Sequence, residues 1–257
     1  MMTDELNKMV DIETANTEKI LRNEYARVSK SLEYKLRALY QEISESGEPL
    51  LSHLYQYNKY YDLINAIQTE LTSLGQVEKK TLETHLITMY KNNAMIMTKY
   101  GNNFTPDLNS ESVKRVVNMN WGGRVKTWSD SVWANKSSLA ERIRSDMVDI
   151  ISTGKSYREV SKMLSHDMGV GYHESQRLIR TEMARISAQS TLDTYATWGV
   201  NKVKVLVNPD CCDICKEHAN EIVKISEAQV GINIPPYHPN GRCSLMACWE
   251  GEEQCLE

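Results

Sequence analysis

The sequence predicts a mainly α-helical protein that ends in a small α+β region. Three observations lead to this fold class. Apolar residues recur every three or four positions over most of the first 200 residues, which is the period of helices buried on one face. After Gly199 the period shortens to two, with Val203, Val205 and Val207 alternating with other side chains, as in a strand. All six cysteines then follow this strand.

The first part of the chain, residues 1–104, predicts a long helical hairpin or bundle. Apolar stripes cover residues 21–43, 51–74 and 82–90, and we expect the second helix to stop at Gly75. Long stripes joined by short breaks are typical of antiparallel helices. We interpret the stripes as core or as a seam for partner helices. The residues of the three stripes are Leu21, Tyr25, Val28, Leu32, Leu36, Leu39 and Ile43, then Leu51, Leu54, Tyr61, Ile64, Ile67, Leu71 and Leu74, then Leu82, Leu86, Met89 and Tyr90.

Residues 105–200 predict a second helical region, reached through a linker around Pro106. A tight turn at 121–124 leads to Trp128 and Trp133. With Trp121, these residues make three tryptophans within 13 positions. Their aromatic rings could stack on bases, but we interpret them as the anchor of a core layer.

The rest of this region predicts three helices. The first covers residues 139–150, and the second begins at a capping box formed by Ser156 and Glu159. We expect Gly169 and Gly171 to end that second helix, and a third helix to run from residue 172 to about residue 198.

Composition sets limits on the class of protein. The chain has 257 residues and a net charge of −4, with five basic and nine acidic residues after position 200. A general basic surface for nucleic acid is therefore not indicated. The acidic, polar start predicts no secretory signal peptide, and no apolar run reaches membrane-spanning length. We expect a soluble protein made in a cytosol, where clustered cysteines favour metal over disulfides.

The third part, residues 201–257, carries two pairs of potential metal ligands. Cys212 and Cys215 form a Cys-x-x-Cys turn, and His238 and Cys243 follow after 22 residues. Thiolates and imidazole in this pattern predict a tetrahedral zinc site. Four protein ligands leave no open position for a catalytic water, which favours a structural role that staples two loops.

The remaining cysteines are not assigned as ligands. Cys211 competes with Cys212 but is out of register with Cys215. Cys248 and Cys255 are spare by this count, and we interpret them as a buried small residue and an exposed tail thiol.

A catalytic zinc finds less support in the sequence. A zinc deaminase would show His-x-Glu before its Cys-x-x-Cys, and a zinc protease would show His-Glu-x-x-His, but neither pattern is present. His238-Pro239-Asn240 could be a nuclease fragment, but His238 cannot readily be both ligand and base.

The last predicted helix of the middle region carries a polar cluster of Arg177, Arg180, Thr181, Glu182 and Arg185. One hypothesis is an active or nucleic-acid-binding site. We favour a structural role, in which Arg180 and Glu182 bond the zinc region or the preceding loop and fix how they dock. Glu182 and Arg185 are the natural pair because three residues separate neighbours on a helix face.

Three segments together resemble the phage minor head proteins, the head-morphogenesis family related to the Mu F protein and the SPP1 minor capsid protein. They are residues 153–164, residues 177–200 with Arg-Leu-Ile-Arg-Thr-Glu, and residues 210–243, which end in Pro-Pro-Tyr-His-Pro-Asn-Gly-Arg-Cys. The resemblance covers roughly residues 120–250. The family commonly has a cysteine at the position of Gly241, a departure that supports His238 and Cys243 as the ligating pair.

The resemblance implies a virion protein present in few copies, located near the portal and made in the host cytoplasm. Such proteins associate with the portal protein and other head proteins, act in head assembly, and in some cases help DNA leave the capsid. Two alternatives stay open: a toxin-like enzyme, either a nuclease or an ADP-ribosyltransferase, and a DNA-binding module with a structural zinc. No small-molecule substrate is indicated.

Overall fold

The structure, a computed structural model, describes residues 2–46, 58–101, 104–153, 155–209 and 211–249. It is mainly α-helical with a small three-stranded sheet near the C-terminus, as predicted. The elements are α1 (Met2–Ser46), α2 (Lys59–Met97), α3 (Ser110–Asn118), α4 (Trp128–Thr153), α5 (Tyr157–Thr197), β1 (Lys202–Leu206), α6 (Asp213–Glu217), β2 (Ile222–Lys224), a short 3₁₀ turn (Ile225–Glu227) and β3 (Ser244–Cys248).

Helices α1 and α2 form the predicted hairpin. The start of α1 lies beside the end of α2, where Lys99 Nζ lies 2.5 Å from Glu5 Oε1. The end of α1 lies beside the start of α2, where Lys59 Nζ is 2.9 Å from Glu42 Oε1. The two helices are therefore antiparallel.

Two predicted helix breaks are wrong, because glycine marks close packing there rather than a helix end. Helix α2 continues through Gly75, where an added Cβ would lie 2.7 Å from the ring of Trp133. Helix α5 continues through Gly169 and Gly171, and a Cβ on Gly171 would lie 2.8 Å from Leu139. The long helices keep Gly75 and Gly171, despite the poor helix propensity of glycine, where a neighbouring side chain needs the space. No neighbouring atom lies within 4 Å of a Cβ built on Gly169.

Other predictions about the helices agree more closely with the structure. Nearly all described stripe residues are buried or half-buried, although Tyr61 is 62% exposed. Helix α4 ends at Thr153, and α5 begins with the predicted capping box, in which the Ser156 N–H donates to Glu159 Oε2 over 2.9 Å. The sequence also predicts a helix break at Gly47 and Pro49. This break and the stripe residues Leu51 and Leu54 lie outside the described residues.

The turn at 121–124 forms as predicted. The Arg124 N–H donates to the Trp121 carbonyl over 3.0 Å, and Gly122 and Gly123 both have positive φ. Trp128 is 2% exposed and donates its indole N–H to the Val117 carbonyl. Such burial is that of a core anchor.

The chain forms two compact units that interleave along the sequence. Unit 1 contains residues 1–18, 81–130 and 177–257, and unit 2 contains residues 19–80 and 131–176. Helices α1, α2 and α5 each contribute to both units. The domain boundaries predicted near residues 104 and 200 stay a prediction.

The core of unit 2 is an apolar cluster contributed by four helices. Its members come from α1 (Tyr25, Val28, Leu32, Leu36), α2 (Leu63, Ile67, Leu71, Leu74), α4 (Leu139, Ile143, Met147) and α5 (Val160, Leu164, Met168).

A buried ion pair joins this core. Lys136 Nζ lies 2.6 Å from Glu78 Oε2, with the two side chains 4% and 0% exposed. Lys136 also donates to the Tyr25 hydroxyl and Ser175 Oγ, while Glu78 Oε1 is buried without a hydrogen-bond partner among the described residues. Burial and the Glu78 charge raise the pKa of Tyr25.

In unit 1, the sheet has the order β2-β1-β3 with antiparallel pairing throughout. Val203 and Val205 point into the core and are fully buried, which confirms the predicted strand. None of the helices in the described part of the chain has the length and apolar character needed to cross a membrane.

Candidate metal centre

The Cys-x-x-Cys turn is built at the start of helix α6. Cys212 precedes the helix in an extended conformation, and Cys215 lies within the first turn. The Lys216 N–H donates to the Cys212 carbonyl over 3.1 Å, which closes the turn. Cys215 is 2% exposed, whereas Cys212 is exposed. The turn therefore places one thiol in the core and one at the surface.

His238 brings its imidazole to these two thiols from the loop before β3. Its Nε2 lies 3.1 Å from Cys212 Sγ and 3.1 Å from Cys215 Sγ. Its Nδ1 lies 2.8 Å from the Pro239 carbonyl. Because a carbonyl only accepts, this contact places the proton on Nδ1 and leaves the Nε2 lone pair facing the sulfurs. A second partner of this kind is what orients metal-binding histidines.

Gly241 shapes the loop that carries His238. Its N–H donates to the His238 carbonyl over 3.1 Å. A Cβ at this position would lie 3.2 Å from that carbonyl oxygen and 3.3 Å from Pro236 Cβ. A side chain here would therefore need its neighbours to shift by a few tenths of an ångström.

Three of the four predicted ligands form one cluster. The ligand atoms of Cys212, Cys215 and His238 all lie within 4.8 Å of one another. Cys243 interacts with the Cys215 thiol but is not part of that set. Its role as fourth ligand stays a prediction.

The other cysteines are placed apart from this role. Cys211 is half-buried with a free thiol. Cys248 is buried in β3 and disulfide-bonded, so the interpretation of Cys248 as an unbonded small residue is wrong. Cys255 lies outside the described residues.

The electrostatics of the cluster fit a cation. Burial, followed by the neighbouring thiols of Cys243 and Cys212, raises the pKa of Cys215. Burial also raises the pKa of Cys243. Packed thiols resist deprotonation because their negative charges would repel one another, and a divalent metal removes this penalty by binding thiolates directly. Sulfur and imidazole donors together are the set that suits zinc.

The five polar residues of α5 have different partners. Glu182 and Arg185 make a buried ion pair, with Arg185 Nε 2.7 Å from Glu182 Oε2 and exposed fractions of 3% and 2%. Trp121 donates its indole N–H to Glu182 Oε1 over 3.1 Å. Arg185 also donates to the carbonyls of Val116 and Val117. This pair ties α5 to the end of α3 and to the turn at 121–124.

The other three residues point to different partners. Arg180 pairs with Glu18 of α1 at 2.7 Å. Thr181 Oγ1 donates to the Arg177 carbonyl, and it lies 3.3 Å from the Asn240 N–H, for which it is the acceptor. Arg177 is exposed. Thr181 is thus the residue of this group that contacts the loop carrying His238.

Sequence reasoning anticipated the Glu182–Arg185 pair from its spacing. It missed Trp121 and Asn240 as partners of the helix, since 61 residues separate Trp121 from Glu182 and 59 separate Asn240 from Thr181. No local spacing rule links residues so far apart. Both Glu182 and His238, the groups that an enzyme would need free, are engaged in the contacts described above.

Comparison with known proteins identifies the region around the centre. Residues 141–246 match the family model described as phage Mu protein F like protein. The match covers less than half of the chain but contains all four predicted ligands and the polar residues of α5. This match supports the phage head-morphogenesis family that the sequence segments indicated.

One curated protein also matches. It is a putative ATP-dependent RNA helicase of Schizosaccharomyces pombe, 27% identical over 166 residues, which cover 58% of this chain. The chain spans only 12% of the length of that protein. In this chain, Gly154-Lys155-Ser156 matches only the end of the phosphate-binding loop motif. The first glycine of the motif would stand at position 149, where this chain has Asp149. No solved structure matches the chain.

Proposed function

We propose that this chain is a minor head protein of a tailed phage, which associates with the portal protein and acts in head assembly. The observation that carries the proposal is the family match over residues 141–246. The family supports a phage head protein in the virion. Its association with the portal protein is the more specific part of the proposal.

Within this function, we propose that zinc is bound by Cys212, Cys215, His238 and Cys243 and has a structural role. The tautomer of His238 and the packed thiols support a metal. The bound ion would hold the α6 turn against the loop before β3. Free energy of metal binding in such small regions becomes free energy of folding.

Elemental analysis tests the zinc. Freshly purified, reduced protein should contain about one zinc per chain by the four-ligand rule. Cys243→Ser should weaken the retention of zinc against a chelator, whereas Cys211→Ser should not. Metal-free protein from a zinc-supplemented culture would overturn this part.

Pull-down tests the partner. Tagged full-length chain should retain the purified portal protein of the same phage. The major capsid protein, supplied in parallel, tests whether another head protein is the partner instead. The portal and assembly roles are overturned if the chain retains neither the portal protein nor the major capsid protein, whether purified proteins at micromolar concentrations or assembled heads are used.

Contact with packaged DNA belongs to the same prediction and has its own test. Binding to phosphates weakens steeply with salt. A DNA affinity that falls as salt rises would support a contact with the genome. If the chain does not bind DNA at low salt, DNA is not one of its partners.

A further inference from the structure

Unit 1 contains a cavity of about 530 Å³ to which none of the roles above assigns an occupant. This volume lies within the range of about 300–1,000 Å³ that is typical of ligand sites. Three segments line it: α1 between residues 3 and 18, α5 between residues 180 and 191, and the strand ends and loop around residues 208 and 240–245. Two of these segments lie within the family match, and the α1 segment lies outside it.

The helical walls leave room for an occupant. The α1 side chains that line the cavity recur at three- and four-residue steps, which places them on one face of the helix. On α5, Ala184, Ser187 and Ala188 line the cavity, and their small side chains leave the space between the walls unfilled. The Arg180–Glu18 ion pair, at 2.7 Å, links the two helical walls.

The third wall is held in place by the contacts of the His238 loop. Asn240 donates its N–H to Thr181 of α5 over 3.3 Å, and the Gly241 N–H closes the turn on His238. Cys243 also lines the cavity. The shape of the cavity therefore depends on the same loop that supplies two of the predicted metal ligands.

The polar groups of the lining favour a polypeptide. The side chains of Asn7, Asp11, Asn208, Asn240 and Arg242 make no hydrogen bond or ion pair with any residue that the structure describes. Each carboxamide offers one donor and one acceptor group, as a backbone amide does. Three carboxamides around one cavity can therefore pair with successive peptide units of an extended chain.

Charge decides against a nucleic acid. The lining contains two guanidinium groups, Arg180 and Arg242, and two carboxylates, Asp11 and Glu18. Arg180 and Glu18 already neutralise each other. A phosphate backbone would meet one unpaired guanidinium and one unpaired carboxylate, which gives no net attraction. A peptide can place one acidic side chain at Arg242 and an uncharged or basic one at Asp11, which a uniformly charged phosphate backbone cannot do.

We propose that this cavity is the docking site for a short extended segment of a partner protein. Asn7, Asn208 and Asn240 bind its backbone amides, and Arg242 binds an acidic side chain of the segment. The proposal rests on the proposed function for the identity of the partner, which is the portal protein or another head protein. Because α1 lies outside the family match, the α1 wall gives this chain a specificity of its own.

The experiment measures binding of the full-length chain to overlapping synthetic peptides that cover the portal protein and the other head proteins of the same phage. Ala15→Trp fills the cavity from an exposed position of α1. Asn16→Trp is its control, because Asn16 is exposed on the same helix and does not line the cavity. We expect one acidic peptide to bind, Ala15→Trp to weaken it by at least about tenfold, and Asn16→Trp to leave it unchanged.

A charge reversal provides the second arm. Arg242→Glu should weaken the same peptide, and the same peptide with its acidic residue changed to lysine should regain affinity for that variant. Lys202→Glu is the control, because Lys202 is exposed at the start of β1 and outside the lining.

The outcomes separate the two proposals. If the portal protein is retained equally by wild type and Ala15→Trp and no peptide binds, the docking site is overturned and the proposed function stands. If a peptide from a different head protein binds and is lost in Ala15→Trp, the docking site stands without the portal. If neither protein nor peptide binds, both proposals fall.

Discussion

Unit 2 and the C-terminal segment 201–249 are stabilised in different ways. Unit 2 packs apolar residues from four helices into one cluster. The C-terminal segment has strands of five, three and five residues and a small core around Val203, Val205 and Leu245. A bound metal or a disulfide commonly adds to the stability of small regions with such short strands. The proposed metal centre lies in this segment, where the helical pattern ends.

Buried charged groups in unit 2 and in the part of α5 that belongs to unit 1 also differ in their hydrogen bonding. In unit 2, Glu78 keeps one buried oxygen without a described hydrogen-bond partner. The Glu182–Arg185 pair, from which α5 leads into the C-terminal segment, is bonded to Trp121 and to two carbonyls.

The largest effect should come from breaking the metal centre. Cys215→Ser removes the buried thiol, and binding of structural zinc contributes about 10–16 kcal/mol in small zinc-folded regions. We expect residues 201–249 to become sensitive to protease while the helical circular-dichroism signal of the chain is largely retained. Cys211→Ser, which alters a neighbouring free thiol, should behave like wild type. An unchanged protease pattern in Cys215→Ser would contradict a structural metal.

The next effect should come from the buried ion pair of unit 2. Lys136→Met leaves the Glu78 carboxylate unpaired in the core, which should cost about 3–5 kcal/mol. Urea unfolding gives the measurement, and Lys35→Met, at an exposed position of α1, is the control. The double variant Lys136→Met with Glu78→Leu should recover most of the loss, because an apolar pair needs no desolvation. A double variant as unstable as the single one would show that the pair itself is needed.

A smaller effect should come from Asp167 of α5, which is 5% exposed. Burial, then Asp146, raises its pKa from 3.8 to about 6, against the opposing effects of Arg142 and His166. An acid with a raised folded-state pKa stabilises the fold below pH 4, and that contribution is lost as pH rises through 6. At about 1.4 kcal/mol per pKa unit the loss is at most about 3 kcal/mol.

Asp167→Asn should therefore be more stable than wild type at pH 7 and similar to it at pH 4. Urea unfolding at both pH values provides the measurement. Asp62→Asn, at an exposed position of unit 2, should show the same difference in free energy of unfolding between pH 4 and pH 7 as wild type. Parallel pH profiles for wild type and Asp167→Asn would contradict the assignment.

The smallest effect should come from Thr181→Val, which removes the acceptor of the Asn240 N–H. One such hydrogen bond contributes about 1 kcal/mol. Exchange of the Asn240 amide hydrogen should become faster, with little change in global unfolding. Thr197→Val removes a similar helical hydroxyl that bonds Asp193 and should leave Asn240 exchange unchanged. Equal exchange in both variants would show that the loop does not depend on this contact.

A helix could be predicted from the sequence where its apolar residues recur regularly every three or four positions. The stripe from Leu21 to Ile43 is buried almost throughout because one face of α1 meets the core along its length. Capping at Ser156 and the turn at 121–124 were also predictable, since each depends on residues within a few positions of one another. The strand at 202–206 followed from alternation of its valines.

Glycines show where local reasoning fails. Gly75 and Gly171 read as helix ends, yet each lies inside a helix where Trp133 or Leu139 needs the space of a missing Cβ. Their partners lie 58 and 32 positions away in the chain. Propensity describes the cost of glycine in a helix, but the neighbouring side chain determines whether the helix continues.

Local information was enough for the helical class, the Cys-x-x-Cys turn and the family segments, because periodicity, ligand chemistry and motif residues are properties of short stretches. Long-range packing settled which charged groups pair, how α5 is tied to Trp121 and Asn240, and that the start of α1 forms a cavity with the His238 loop. These contacts join residues tens to hundreds of positions apart, so they form only when the chain is folded.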